Sequence, residues 1–177
     1  MAWIDELQQH RNAKDYYLKA NQESPLSHDE RASFKGLNYF PASEKLRIRT
    51  NLHRNSSPDL IMISTSKGTS REFSRFGFFE FEVDGNIVKL HTYKSLDRKE
   101  DNELFIPFKD KTNGLETYSA GRYLDLEINP DDYDDCLIDF NYSYNPFCAY
   151  SEDYVCPLPP AENWLGVAIR AGEKKYH

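Results

Sequence analysis

From Leu46 onward the polarity of the side chains alternates with a period of two, and this constrains the chain more than any other feature. Such runs occupy residues 46–52, 60–65, 73–83, 86–93, 104–109, 122–128, 137–141 and 165–169. Successive side chains of a strand point to opposite faces, so each run reads as a short strand with one face in a core. The series predicts a mainly β fold, an antiparallel barrel or sandwich of about eight strands. Asp84-Gly85 sets one register, because a type I′ hairpin turn needs positive φ at both central residues and this dipeptide supplies it. Val83 then pairs with Asn86, Phe81 with Val88 and Phe79 with Leu90 inside, and Glu80 with Lys89 outside. The same count puts His91 opposite Phe78, on the outer side, as a surface residue.

Two helices precede the strands. Residues 3–20 carry Trp3, Ile4 and Leu7 on one side, with Tyr17 and Leu18 further along. The second is shorter and better marked, with Ser27 and Glu30 as a capping box and Gly36 after Phe34 as its stop. No linker divides the 177 residues. The reading is one domain over 1–177, with a helical segment at 1–36 and a β-rich body at 46–174.

A charge of -7 argues against nucleic-acid binding, which requires a basic surface to displace counterions. No run approaches the length of a membrane span, and the first residues show no basic segment followed by an apolar one. A cytoplasmic setting is therefore expected. Cys136, Cys148 and Cys156 are too few for a disulfide scaffold and are read first as thiols. The loop between Cys148 and Cys156 could bring those two together as a disulfide or half of a zinc site. No metal site is assigned, and the cofactor is left unspecified. Residues 129–135 carry four carboxylates but lack a calcium-loop framework, so they read as a solvated hairpin tip.

Alternation also aims two charges inward. Asp110 continues the face of Leu104, Ile106 and Phe108, and Arg122 precedes Leu124, Leu126 and Ile128 on theirs. If these runs are antiparallel neighbours, Asp110 and Arg122 meet at one mouth of the barrel. Glu116 and Asp139 are further carboxylates for the guanidinium fork. The pair is either a structural lock or an anion-recognising arginine held by acids. The connection between the runs carries hydroxyls, glycines, Glu116 and Tyr118. Six aromatics between 140 and 154 either line a pocket or plug the barrel end while Asn141 and Asn145 tie the loop. Cys156-Pro157-Leu158-Pro159-Pro160 forms a stiff strap suited to closing one side of a pocket.

The motifs Ser24-Pro-Leu-Ser, Leu37-Asn-Tyr-Phe, Pro107-Phe-Lys-Asp, Glu116-Thr-Tyr, Ala120-Gly-Arg-Tyr-Leu-Asp, Asp139-Phe-Asn, Tyr144-Asn-Pro and Cys156-Pro-Leu-Pro-Pro resemble the domain of unknown function family 1684 of bacteria and archaea. The resemblance runs from about His10 to Lys174 and implies no activity. The expected function is a small-ligand binding module that recognises a polar or anionic molecule. Asp110, Glu116, Tyr118, Arg122, Asp139, Asn141 and Asn145 are its candidate contacts. The alternatives are a hydrolase-type enzyme with Glu116 and Asp110 as acid and base, or a protein-interaction domain.

Overall fold

A computed structural model describes residues 2–98 and 102–177. Helix α1 spans Ala2–Ala20 and buries Leu7, Arg11 and Leu18, spaced so that they share one face. Helix α2 spans His28–Ser33 behind the capping box: the Glu30 amide donates to Ser27 Oγ at 3.2 Å, and the Ser27 amide donates to Glu30 Oε2 at 2.8 Å. It ends earlier than the sequence suggests. Phe34 is already extended, so Gly36, at φ 118, lies beyond the cap and turns the chain past Asp15 instead.

The strands are β1 (Arg47–Thr50), β2 (Leu52–Ser64), β3 (Ser70–Val83), β4 (Asn86–Ser95), β5 (Glu103–Phe108), β6 (Arg122–Glu127) and β7 (Cys136–Asp139). They form an antiparallel five-stranded sheet, β2-β3-β4-β5-β6, and a two-stranded sheet, β1-β7. The mainly β class with two N-terminal helices stands, but the closed barrel does not. Strands β2 and β6 are the edges of an open sheet, and no ladder joins them among the described residues. At the tip of β3 and β4, Asp84 has φ 48 and Gly85 φ 81, and the register follows the turn as the sequence predicts.

A second correction concerns the eighth run. Residues 165–169 alternate in burial, with Leu165, Val167 and Ile169 in the core, yet they join no strand ladder. Their backbone partners are the chain at Lys109 and Lys111 and the side chains of Asp110 and Arg122. Side-chain polarity reports which residues are buried, not what pairs with the backbone.

Both faces of the large sheet carry an apolar cluster. Phe79, Phe81, Val88, Leu90, Leu104, Ile106, Phe108 and Leu124 face inward, covered by β1, β7 and the C-terminal segment. A bulge between Arg75 and Gly77 inserts Phe76 into β3 and reverses its faces beyond that point. Phe73 therefore shares the outer face with Ile63 and Tyr93, in a smaller cluster that Phe105 joins.

The strap crosses this outer face. Pro157 bridges to Thr65, and the Leu158 amide donates to Ser64 O at 2.8 Å. Glu162 receives Arg75 Nε at 2.9 Å and the Tyr93 hydroxyl. Asn163, wholly buried, then stands in for missing ladder bonds between β4 and β5. Its Oδ1 accepts from the His91 amide at 2.8 Å, and its Nδ2 donates to His91 O and Pro107 O, both at 2.9 Å. Pro107 has no N–H to offer β4, so without this amide the His91 peptide groups would be buried unpaired.

Candidate functional site

Strands β5 and β6 are antiparallel with Phe108 opposite Arg122, which carries Asp110 to the start of β6. Arg122 Nη2 lies 3.0 Å from Asp110 Oδ2, and both side chains are wholly excluded from solvent. The guanidinium also donates to three carbonyls, at Ile169 (2.8 Å), Ala171 (2.5 Å) and Glu173 (3.1 Å). In extended chain the carbonyls of residues i, i+2 and i+4 point the same way, so one planar fork can serve all three. Asp110 Oδ1 completes the arrangement by accepting from the Ile169 amide at 3.1 Å and from the amide and hydroxyl of Thr112 at 2.8 and 2.6 Å. Burial pulls the Arg122 guanidinium below its ordinary value, and the Asp110 carboxylate opposes that shift.

The other candidate contacts lie elsewhere. Glu116 pairs with Arg170 at 3.0 Å on the surface and not with the Arg122 fork. Asp139 pairs with Arg47 at 2.9 Å, on the two-stranded sheet. Asn141 exchanges bonds with the Ser43 backbone, Nδ2 donating at 2.9 Å and Oδ1 accepting at 2.8 Å, and its amide donates to the capping Asp139 Oδ1 at 3.0 Å. Asn145 donates through Nδ2 to Lys174 O at 3.0 Å, while its amide donates to the buried Glu173 carboxylate, which also receives Tyr150 and Lys14. These amides anchor irregular backbone, as a plugging role requires. Tyr118 donates to Cys148 Sγ at 3.7 Å beside a small hollow under the C-terminus. The acidic stretch at 129–135 is a turn with exposed aspartates, one of them paired with Arg49.

A larger open space lies on the outer face. A cleft of about 600 Å³ has a floor of Phe73, Tyr93, Phe105, Tyr123 and Tyr144. The rings run as a continuous row: Phe73 stacks on Phe105 at 5.6 Å, Phe105 meets Tyr123 edge-on at 4.7 Å, and Tyr123 meets Tyr144 edge-on at 5.7 Å. Alternation on β6 that sends Arg122 inward sends Tyr123 outward, so the buried pair and the cleft share a strand. The rim carries Arg71, Glu72, Ser95, Asp97, Glu103 and Asp125, with the Tyr144 hydroxyl donating to Asp125 Oδ2 at 2.6 Å. Burial pushes the Tyr93, Tyr123 and Tyr144 hydroxyls up, which keeps them protonated as donors. This face lies apart from the residues that the sequence marks as candidate contacts. Its signal was present in Phe105, Pro107 and Tyr123, apolar residues standing where a solvated outer face would be polar.

A model of the family described as Protein of unknown function (DUF1684) matches residues 32–174. The chain belongs to this family. A similar solved structure, determined by solution NMR, is an uncharacterized protein of Haloarcula marismortui with 36% identity and a TM-score of 0.76, covering 98% of this chain and 94% of that one. No curated protein matches the chain. The DUF1684 match spans the Asp110–Arg122 pair and every residue lining the aromatic cleft, and leaves α1 outside. Within it, among the described residues, no group of three or more His, Cys, Asp or Glu side chains is placed to hold a metal ion. No helix among the described residues is long and apolar enough to cross a membrane.

Proposed function

We propose that this DUF1684 domain is a small-ligand binding module whose ligand lies in the aromatic cleft of the outer sheet face. One observation carries the reading: a row of four touching rings, with Tyr93 beneath, floors an open space of about 600 Å³. That volume is within the range of roughly 300–1,000 Å³ usual for ligand pockets, and apolar floors with a few polar groups at the rim are their common form. The ligand is polar with a flat apolar face, and it is neutral or cationic. Asp125 holds the Tyr144 hydroxyl at the rim beside Glu72 and Asp97, which offers acceptors to a donor group on the ligand. Rings present a negative face that a cationic group can approach.

Arg122 supports this site from behind. Its Nη donors are engaged by Asp110 and three carbonyls and none of its surface meets solvent, so it fixes the start of β6 while Tyr123 lines the cleft. The acid/base alternative has less support, because Glu116 and Asp110 are each turned to a different arginine.

The test is a thermal-shift screen with a small-molecule set that includes aromatic amines and aromatic carboxylates. Amines are expected to raise Tm, and Asp125→Asn, at an exposed position, is expected to weaken that rise without unfolding the protein. Selective stabilisation by carboxylates, undiminished in the variant, would refute the reading.

A further inference from the structure

The three tyrosine hydroxyls of the aromatic cleft are already spent on the protein. Tyr93 donates to Glu162 Oε1, Tyr123 to the Pro157 carbonyl, and Tyr144 to Asp125 Oδ2 at 2.6 Å. A hydroxyl has one proton, so none of the three has a second to give a ligand. The floor therefore offers ring surface and no proton. Phe73, Tyr93 and Tyr123 are buried, whereas Phe105 and Tyr144 are half-buried and show part of their rings to the cleft.

The rim is of mixed character. Alternation on β3 puts Arg71 on the face of Phe73, and Val155 O, at 3.0 Å, takes one of the five N–H donors of its guanidinium. Ser95, on the side of Tyr93 at the end of β4, accepts the Asp97 amide at 3.4 Å and keeps a hydroxyl proton to donate. Asp97 is exposed and brings a carboxylate, which only accepts. A group that only donates uses one half of this rim, and a group that only accepts uses the other. A hydroxyl uses both, because it donates once and accepts twice. The ligand that suits floor and rim together has hydroxyls around its edge and bare carbon on its face, which describes a pyranose sugar. The row of rings, with centroid spacings of 5.6, 4.7 and 5.7 Å, is longer than one pyranose, so it suits several joined end to end. β-Links through equatorial oxygens keep such a chain flat and extended, whereas α-links curl it.

We propose that the cleft binds a neutral, β-linked oligosaccharide, with its pyranose rings along the Phe105, Tyr123 and Tyr144 row and its hydroxyls held by Arg71, Ser95 and Asp97. The inference rests on the cleft being a ligand site and adds what the ligand is. The C–H face of each sugar lies over a ring, and its equatorial hydroxyls reach sideways to the rim. Each sugar stacked on a further ring adds about two- to tenfold in affinity, the usual worth of one aromatic contact.

The experiment is chemical-shift mapping of the folded, isotope-labelled protein with cellotriose, mannotriose and chitotriose at millimolar concentration, with α-linked maltotriose and an aromatic amine in parallel. The expected result is saturable shifts at Phe105, Tyr123 and Tyr144 with at least one β-linked trisaccharide, and affinity lower by about two- to tenfold for the matching disaccharide. Asp97→Ala, at an exposed position, should weaken that binding by about tenfold or more at unchanged Tm, as expected for the loss of a hydrogen bond to a charged group. Silence of the outer rings toward all three β-linked trisaccharides would overturn the inference. If the amine still moves those rings, the cleft stays a ligand site with another occupant; if the amine is silent too, both readings fall. Equal binding of maltotriose would overturn the flat, extended chain, and undiminished binding in Asp97→Ala would overturn the assigned rim contact.

Discussion

Asp110 and Arg122, 3.0 Å apart and sealed from water, together take up both peptide groups of Ile169: the carboxylate accepts its N–H and the guanidinium donates to its C=O. A neighbouring strand would offer one residue's C=O and N–H to the same groups. The ion pair thus replaces a ladder neighbour and lets an extended segment lie against the sheet edge without joining it. It explains why a charge pair stands at inward positions on β5 and β6, where isolated ions would cost several kcal/mol.

Removing one partner leaves the other buried and uncompensated. Arg122→Met and Asp110→Asn are each expected to destabilise the protein by about 3–5 kcal/mol in urea unfolding. The double variant should lose less than the sum of the two, since the partners act as a unit. Additive losses would show that the two side chains are not coupled.

Asn163→Leu fills similar space but leaves the His91 peptide groups and Pro107 O unpaired between β4 and β5. The expected loss is about 2–4 kcal/mol, since each buried orphan costs roughly 1–3 kcal/mol and the backbone relaxes in part. Amide hydrogen exchange at His91 should quicken in the same variant.

How much of this was legible in the sequence depends on which physical quantity each signal reports. The Asp84-Gly85 turn, the register of β3 and β4 and the inward aim of Asp110 and Arg122 follow from local backbone preference and strict alternation, and the structure has all of them. Sheet closure could not be read, because alternation says nothing of which edges meet. The run at 165–169 misled because its partners are side chains distant in sequence. The cleft was obscured by the bulge at Phe76, which moves Phe73 to the face opposite Phe79 although the two are six positions apart and would otherwise share a side.

Stability should fall on acidification, beginning in the histidine range. Burial lowers the His91 pKa from 6.5, and Lys89 and Arg75 lower it further while Glu162 opposes them. A depressed histidine is neutral in the folded state when the unfolded chain already binds a proton, so stability is present above 6.5 and lost as pH falls through the folded value. Burial alone would raise Glu162, but hydrogen bonds from Arg75 and Tyr93 hold it below 4.5, which adds a second loss at lower pH. His91→Gln is expected to flatten the urea midpoint between about pH 7 and pH 5 and leave the lower limb. An unchanged slope in that window would remove His91 from the account.

Gly172 has φ 80, and a Cβ there would lie 2.5 Å from Ser143 O and 3.0 Å from Phe140 O. Gly172→Ala should therefore destabilise by about 1–3 kcal/mol through backbone strain, with a further cost from the contact. Calorimetry would show the drop, and an unchanged Tm would mean that the loop yields without resistance.

The most direct test of the division between a locking interior and a recognising exterior is chemical-shift mapping on isotope-labelled protein titrated with an aromatic amine that raises Tm. The account predicts saturable shifts at Phe73, Phe105, Tyr123 and Tyr144, with Asp110, Arg122 and Ile169 unmoved. Shifts centred on Arg122 and Ile169, with the outer rings silent, would contradict it.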